Sequence, residues 1–369
     1  MKNTLLSKLI FFFSIVSLTI SCVEKFDDDA TNPVNGIDWV NIADIGTSVY
    51  NHSYVDNNLN LISGDKLFYH FEIKGQNNNS FNFEEYQTRP GWFKLPITKD
   101  FLVTRTELDV NVFAINTNAI SAPISIKPID LDPTFVRFED MPFWSGFDAF
   151  GLTENGHVLI PYRTSINGLA ENNPSFLLIS LKKESTNIIV SEIKVVKPSV
   201  INYYDSVSIV FANGNFFYVK VGNNLLKIDH QGNVKVETKI DGIKFSKLDN
   251  KIIGIGYANS TKETTIFEAS LNGSNFKAIS KSSSNDNPTL FNYTGINNRV
   301  VGFLDDKIYE LVDLASNPKL RELNNSKLES TLISSIFLSN NGEVTVTTQC
   351  RTLCGGIYSK PLDKLFDYK

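Results

Sequence analysis

The feature that most constrains the fold of this chain is a short unit, a tight turn followed at once by an apolar strand, which recurs five times. The units span residues 154–160, 212–218, 248–254, 296–302 and 340–346. Each opens with Asn, Asp or Gly residues, which tolerate the positive φ of a hairpin turn. Their third positions are 36 to 58 residues apart. Self-similarity at this spacing predicts a repeat architecture.

A strand-like segment precedes each unit, another follows it, and a fourth often appears after one more turn. Four short antiparallel strands in a period of roughly 45 residues are typical of a β-propeller blade. This pattern therefore predicts that residues 132–369 form a propeller of five blades, or of six if the segment before residue 132 contributes one. Residues 135–138 are expected to close the ring against the last blade. Two stacked sandwiches built of hairpins are the alternative.

The composition agrees with a turn-rich β protein. The 369 residues include 40 Asn and 27 Phe but only 2 Met. Asn favours turns and Phe favours strands. A hydrophobic content of 42% rules out a wholly disordered chain. The formal net charge of −5 argues against a nucleic-acid partner, which would require a basic face.

The first residues indicate export. Lys2 and Lys8 form a short basic region. Residues 9–20 then form an apolar run that is too short to span a bilayer. The run ends at Ser21-Cys22, which resembles a bacterial lipoprotein signal, although Thr19 stands where that family usually has Leu. The resemblance implies removal of residues 1–21 and lipid attachment at Cys22. An ordinary secretory signal with an incidental Cys is the alternative.

An acidic stretch follows the Cys. Residues 23–29 resemble the export tag of Bacteroidota lipoproteins, which implies an anchor in the outer membrane with the protein facing the cell exterior. Residues 22–36 then form an extended acidic tether, and a simple solvated linker is the alternative interpretation. Loss of Lys2 and Lys8 would change the net charge from −5 to −7.

Between the tether and the repeats, residues 37–130 contain short alternating runs. The pattern V-x-V-x-A-x-N at 110–116, followed by Ser-Ala-Pro at 121–123, resembles the last strands of fibronectin type III and related immunoglobulin-like domains. The resemblance implies a β-sandwich over 37–130 without a disulfide framework. The expected fold class is therefore all-β, with an N-terminal immunoglobulin-like sandwich followed by the propeller.

The remaining cysteines are Cys350 and Cys354. A C-x₃-C pair flanked by Gly predicts a small disulfide loop, and half of a zinc site is the alternative. Zinc requires about four ligands, and the four His show no ligand spacing near this pair. No metal or other cofactor is predicted.

Catalytic motifs for nucleophilic, metal-dependent and nucleotide chemistry are absent from the sequence. Five-bladed propellers include glycoside hydrolases, which need paired carboxylates near the central tunnel. Asp148, Asp205 and Asp241 stand near the starts of blades and are weak candidates, with Asn292 and Ser334 at comparable places. The alternative is that these aspartates hold turns.

Two tryptophans in loops are weak candidates for binding. Trp92 and Trp144 could serve as platforms for a ligand or plug the junction between domains. Asp205-Ser206-Val207 resembles a Bacteroidota O-glycosylation site, so Ser206 is a candidate for modification.

These observations favour a non-enzymatic interaction module. The expected role is that of a lipid-anchored scaffold subunit on an outer-membrane β-barrel machine for nutrient uptake, secretion or barrel assembly. A glycan-binding or glycan-hydrolysing surface lipoprotein is the second hypothesis.

Overall fold

Antiparallel sheets built from consecutive strands make up nearly all of the regular structure. The structure is a computed structural model that describes residues 38–44, 49–55, 58–63, 67–72, 79–82, 97–116, 119–138, 150–171, 173–198, 207–283, 286–328, 332–349 and 355–369. These residues contain thirty strands, which form seven sheets, and one short α-helix. None of the helices in these ranges is long and apolar enough to cross a membrane.

The first three sheets come from the N-terminal half of the chain. The first contains β2 Val49–Val55, β3 Asn58–Ser63, β4 Leu67–Glu72 and β5 Asn79–Asn82. The second contains β6 Phe101–Arg105, β7 Val110–Asn116, β8 Ala119–Ile120 and β9 Ile124–Ile126. The third contains β10 Phe135–Phe138, β11 Gly151–Leu152, β12 His157–Ile166, β13 Leu169–Ala170, β14 Ser175–Glu184 and β15 Asn187–Val196.

Four more sheets follow. The fourth contains β16 Val207–Asn213, β17 Phe216–Val221, β18 Asn224–Asp229 and β19 Val234–Lys239. The fifth contains β20 Gly242–Lys247, β21 Lys251–Ala258, β22 Glu263–Ser270 and β23 Lys277–Ser283. The sixth contains β24 Asn292–Ile296, β25 Arg299–Leu304, β26 Lys307–Val312 and β27 Lys319–Glu322. The seventh joins β28 Leu332–Leu338, β29 Glu343–Gln349 and β30 Gly356–Pro361 to β1 Val40–Asp44, and α1 Leu362–Leu365 follows it.

Six of the seven sheets are arranged as the blades of a β-propeller. One strand of each of these six sheets contacts a strand of the next in one row, in the order β2, β28, β24, β20, β16 and β11. The second sheet lies between the first and the third, where β8 contacts β5 and β7 contacts β15. Six blades, the larger of the two expected counts, are thus present in the row, and five is too low. The additional blade is the first sheet, β2 to β5, which lies in the segment before residue 132, as the six-blade alternative requires.

Alternating residues of the second strands fill the spaces between neighbouring blades. In β17, Phe216 and Tyr218 pack in one cluster with the fifth sheet, whereas Phe217 and Val219 pack in another with the third. The rings of Tyr218 and Phe245 stack with their centroids 4.7 Å apart. Because successive side chains of a strand point to opposite faces, one apolar strand supplies two interblade cores.

An immunoglobulin-like sandwich over 37–130 is not shown by the described residues. A sandwich would require the two sheets of this segment to pack on each other. Instead, Val112 and Phe113 of the second sheet share one core with Val158 and Leu177 of the third. The segments on either side of the expected boundary near residue 131 therefore have a common core, and residues 37–369 form one compact unit.

The ring is closed by β1. Val40 pairs with Ser359 and Asp44 with Gly356, so the strand nearest the N-terminus becomes the outer strand of the last sheet. The expectation that residues 135–138 close the ring is wrong, because β10 pairs with β12 inside the third sheet. The pairing of β1 with β30 joins strands that are far apart in the sequence, so it leaves no local signal there.

Trp39 anchors the closing strand. Its side chain is 1% exposed and packs among Phe303, Val344 and neighbouring residues in the core between the sixth and seventh sheets. The ammonium of the buried Lys360 lies 5.7 Å from the centre of the Trp39 ring and donates to the carbonyl of Asn324 at 3.1 Å. Burial lowers the pKa of Lys360, and the charges of Asp367 and Asp38 oppose this effect.

We predict that Trp39→Ala lowers the free energy of unfolding by about 3–5 kcal/mol, because it empties a large buried site at the ring closure. Chemical denaturation of the full chain measures this loss. Val40→Thr is the control, because Val40 is 58% exposed and keeps its β-branched shape in the variant. Equal losses in the two variants would contradict an anchoring role for Trp39.

Candidate functional site

The five repeated turns occupy equivalent places in the fold. Each connects the strand of this row to the strand that follows it in the chain: β11 to β12, β16 to β17, β20 to β21, β24 to β25, and β28 to β29. The Asn, Asp and Gly residues of these turns predict a positive φ. It occurs at the third position of four of them: 81° at Gly156, 53° at Gly214, 59° at Asn298 and 81° at Gly342. The expectation of left-handed turn residues is confirmed at these four positions.

Hydrogen bonds and an ion pair join two of these turns to each other and to neighbouring segments, and together they form a surface. The side-chain amide of Asn155 donates to the side-chain oxygen of Asn215 at 2.8 Å, which links the third and fourth sheets. Lys247 of the fifth sheet lies 3.2 Å from the carboxylate of Glu154. The amide of Asn213 donates to the carbonyl of Leu271 at 2.8 Å. We call the region formed by turns 153–156, 213–215 and 270–275, together with turn 229–233, the turn surface.

The turn surface contains an open pocket of about 460 Å³. It is lined mainly by polar residues: Asn155, Gly214, Asn215, Phe216, Lys227, Asp229, His230, Gln231, Leu271 and Asn272. Phe216 is 2% exposed, and the Lys227 ammonium lies 5.0 Å from the centre of its ring. Because the ring is covered, the pocket offers hydrogen-bonding groups rather than an aromatic platform.

Two histidines meet beside this pocket. The rings of His157 and His230 have centroids 5.2 Å apart and are tilted by 35°. Nδ1 of His157 lies 3.1 Å from the hydroxyl of Ser180, whereas Nδ1 of His230 is buried without a hydrogen-bond partner. The pair therefore spans the junction between the third and fourth sheets.

The pKa of His157 is held below its ordinary value. Burial is the main cause and the neighbouring His230 adds to it, while a hydrogen bond with Asn215 and the charge of Glu192 oppose the shift. A neutral ring is therefore favoured in the folded protein. No cluster of three or more His, Cys, Asp or Glu side chains suited to a metal occurs among the described residues.

The histidine pair predicts a fall in folding stability at mildly acidic pH. As the pH drops below 6.5, His157 takes up a proton in the unfolded chain sooner than in the folded one. Its contribution to stability is complete above that pH and is lost as the pH falls toward the folded pKa. Denaturation at several values between about pH 7.5 and pH 5 measures the decline.

His157→Gln should flatten this decline. His230→Gln should flatten it only in part, because it removes the neighbouring charge but leaves His157 buried. An unchanged pH profile in His157→Gln would show that other groups are responsible.

Asp241 is the described member of the three candidate carboxylates. Its Oδ2 accepts a hydrogen bond of 2.7 Å from the backbone N–H of Asn259. It therefore ties the loop before β20 to the turn after β21, the turn-holding role given as the alternative. The comparable Asn292 accepts from Lys244 at 3.4 Å, and Ser334 donates to the carbonyl of Thr347 at 2.9 Å.

The other predicted site residues fall outside the described residues: Cys22, Trp92, Trp144, Asp148, Asp205, Ser206, Cys350 and Cys354. Among the residues in the site prediction, Asp241 alone lies in the described part of the chain. The lipid attachment, the disulfide, the aromatic platforms and the modification site stay predictions.

We predict that Asp241→Ala lowers the free energy of unfolding by about 1 kcal/mol, because the Asn259 N–H loses its acceptor. Asp241→Asn keeps an acceptor oxygen and should change it much less. Thermal or chemical denaturation distinguishes the two variants. Equal losses would mean that the charge, not the hydrogen bond, matters at this position.

A second cluster of perturbed groups surrounds Asp132. Burial alone would raise the pKa of this carboxyl, but bonds from Thr134, Tyr162 and Lys197 outweigh that effect and lower it to about 2. The Tyr162 hydroxyl donates to it at 2.8 Å and the Lys197 ammonium lies 3.1 Å away. These contacts fasten the segment before β10 to the third sheet, which is a structural task.

The sequence spacing of the four His does not predict the contact between His157 and His230. His157 directly follows the first repeated turn, and His230 lies in the turn between the third and fourth strands of the next sheet. Both histidines lie at turns, but their contact depends on how neighbouring blades pack.

Solved structures with this architecture include proteins of different kinds. The chain is similar to the WD40 domain of Neurospora crassa Pan2, with a TM-score of 0.52, 11% identity, and coverage of 89% of this chain and 97% of that one. It is also similar to an oligogalacturonate lyase in complex with manganese, with a TM-score of 0.50, 7% identity and the same two coverages. Neither a protein-family model nor a curated protein matches the sequence.

At these identities the likeness shows the fold alone. The chain folds as a β-propeller, and propellers of this shape include a WD40 domain and a lyase. The fold by itself does not separate binding from catalysis, so function has to be argued from the surface of this chain.

Proposed function

We propose that this protein is a non-enzymatic scaffold that binds another protein through its third sheet. The observation that carries the proposal is the distribution of exposed apolar side chains. Seven of the eleven large hydrophobic residues that are exposed in the described part of the chain lie between residues 129 and 195. Concentrated apolar exposure marks interaction surfaces, whereas single exposed residues are ordinary.

Five of these residues lie in neighbouring segments and form what we call the apolar corner: Ile129, Leu131, Val136, Ile166 and Leu169. Ile166 and Leu169 pair across the short hairpin of β12 and β13. The hairpin is tied to the start of β10 by a hydrogen bond of 2.8 Å from the Ser165 N–H to the Thr134 carbonyl. Leu169 is the most exposed of the set, at 76%.

The rigidity of the fold suits such a role. The apolar corner sits on a sheet in which residues 158–162 of β12 and 175–179 of β14 are buried on both faces, so the sheet that carries it is held in place before a partner arrives. A preorganised surface binds more tightly because less conformational entropy is lost on association.

The proposed partner is an outer-membrane β-barrel protein or complex. The lipoprotein-like signal before Cys22 and the acidic stretch after it support an anchor in the outer membrane facing the cell exterior. A lipid tether of this kind would hold the propeller beside integral membrane proteins, where a moderate intrinsic affinity is sufficient.

We predict that the tagged full-length protein, extracted in a non-ionic detergent, co-purifies with a barrel protein and that Leu169→Asp lowers the recovery at least about tenfold. The carboxylate introduced by this substitution would be buried against the partner, and burial of an unpaired charge costs binding free energy. Quantitative mass spectrometry of the purified material measures recovery.

Leu290→Asp is the matched control, because Leu290 is 64% exposed but lies outside the apolar corner. It should leave recovery unchanged. Recovery of the lipoprotein alone would contradict the barrel partner, and equal effects of the two variants would contradict the apolar corner as its docking surface.

A further inference from the structure

The outer strand of the third sheet differs from the outer strands of its neighbours. β15 is ten residues long, and among the described strands it pairs only with β14. A strand at the edge of a sheet presents unpaired backbone N–H and C=O groups that another strand can complete. Natural edges are usually protected by Lys and other charges, by shortness or by a covering segment.

Each neighbouring outer strand is shorter than β15 and has a larger share of charged residues or Thr, whereas β15 carries only Glu192 and Lys194 and a register shift at Ser191. Four of the six residues of β19 are Lys, Glu or Thr, β23 has two Lys in seven residues, and β27 has only four residues with one Lys and one Arg. The C-terminal tail also borders the end of β27, where Leu323 pairs with Tyr368. By contrast, six of the ten residues of β15 are Ile or Val.

The side chains of β15 divide between two faces. Ile188, Val190 and Ile193 pack toward the core shared with the second sheet. Val196 packs in the core shared with the fourth sheet, and Glu192 and Lys194 alternate with Ile193 and so lie on the Val196 face. Glu192 and Lys194 form an ion pair of 3.0 Å and remain partly exposed.

A second copy of this strand can pair with β15 in antiparallel fashion about a two-fold axis. In such a pairing, residues directly opposite each other lie on the same face of the sheet. The two-fold axis must therefore lie midway between the two copies of one residue. Centred on Glu192 or on Lys194, the pairing would place like charges face to face. Centred on Ile193, it places Glu192 of each copy opposite Lys194 of the other.

We propose that two copies of this protein associate edge to edge through β15, with Ile193 at the two-fold axis. The interface is isologous, which means that the same edge serves in both copies. Opposite charges stabilise cross-strand pairs and like charges destabilise them, so the sequence of β15 favours this register over its immediate neighbours.

The dimer should be weak and dependent on concentration. A single strand pair is small beside the roughly 1,600 Å² of a standard stable interface. The exchange is therefore best followed by sedimentation velocity over a wide range of protein concentration, with the full-length protein in one non-ionic detergent throughout.

Charge reversal tests the register directly. In Glu192→Lys and in Lys194→Glu, each copy would present like charges to its partner, and we expect dimerisation to weaken at least about tenfold in both variants. When the two variants are mixed, every charge again meets its opposite, and heterodimers should form at the concentration at which the wild type dimerises. The double variant Glu192→Lys/Lys194→Glu should also dimerise.

Lys277→Glu on β23 is the control, because it makes the same charge change on another outer strand. Circular dichroism confirms that each variant is folded. A wild type that is monomeric at all concentrations would overturn the proposal, as would a mixture of the two single variants that stays monomeric.

Pairing of β15 with a strand of a different protein would also overturn it, and this would appear as a loss of that protein in Lys194→Glu while the wild type remains monomeric. The scaffold proposal is independent of these results, because its apolar corner includes no residue of β15.

Discussion

Closure of the ring is the constraint on which the rest of the structure depends. A blade with apolar residues on both faces cannot be buried by one neighbour, so every blade needs two. The pairing of β1 with β30 and the insertion of Trp39 between the sixth and seventh sheets satisfy this requirement at the point where the chain begins and ends its circuit. If this closure failed, the apolar faces on either side of it would be exposed to solvent, because no other sheet covers them.

Packing between blades explains why the polar groups of the turn surface can be held so closely. Any side chain at Gly295 would collide with the backbone carbonyl of Lys247, so glycine permits the close approach of β24 to the neighbouring blade. Similar proximity between the third and fourth sheets brings the rings of His157 and His230 together. Their contact places His157, whose pKa is lowered mainly by burial, at a seam between rigid elements. The seam thereby couples local protonation to the stability of the whole ring.

The surface divides into regions with different chemistry. The turn surface is polar, and its asparagines and glycines are largely used to hold turns and to bridge neighbouring blades. The apolar corner and the edge of β15 belong to the third sheet, which is also the sheet with the longest strands. Binding through this sheet leaves the tightly packed interior of the propeller undisturbed, because both features lie on its periphery.

Local regularities of the chain were enough to predict an all-β propeller, since turn residues with positive φ and alternating strands are set by short-range sterics and by side-chain periodicity. They also located positive-φ turn positions at Gly156, Gly214, Asn298 and Gly342, of which the first two lie in the turn surface. The pairing of β1 with β30, the core shared by the second and third sheets and the contact of His157 with His230 depend on residues far apart in the sequence. Those features were decided only by the tertiary structure, because many strands are apolar enough to pair and only the geometry of a closed ring selects which of them meet.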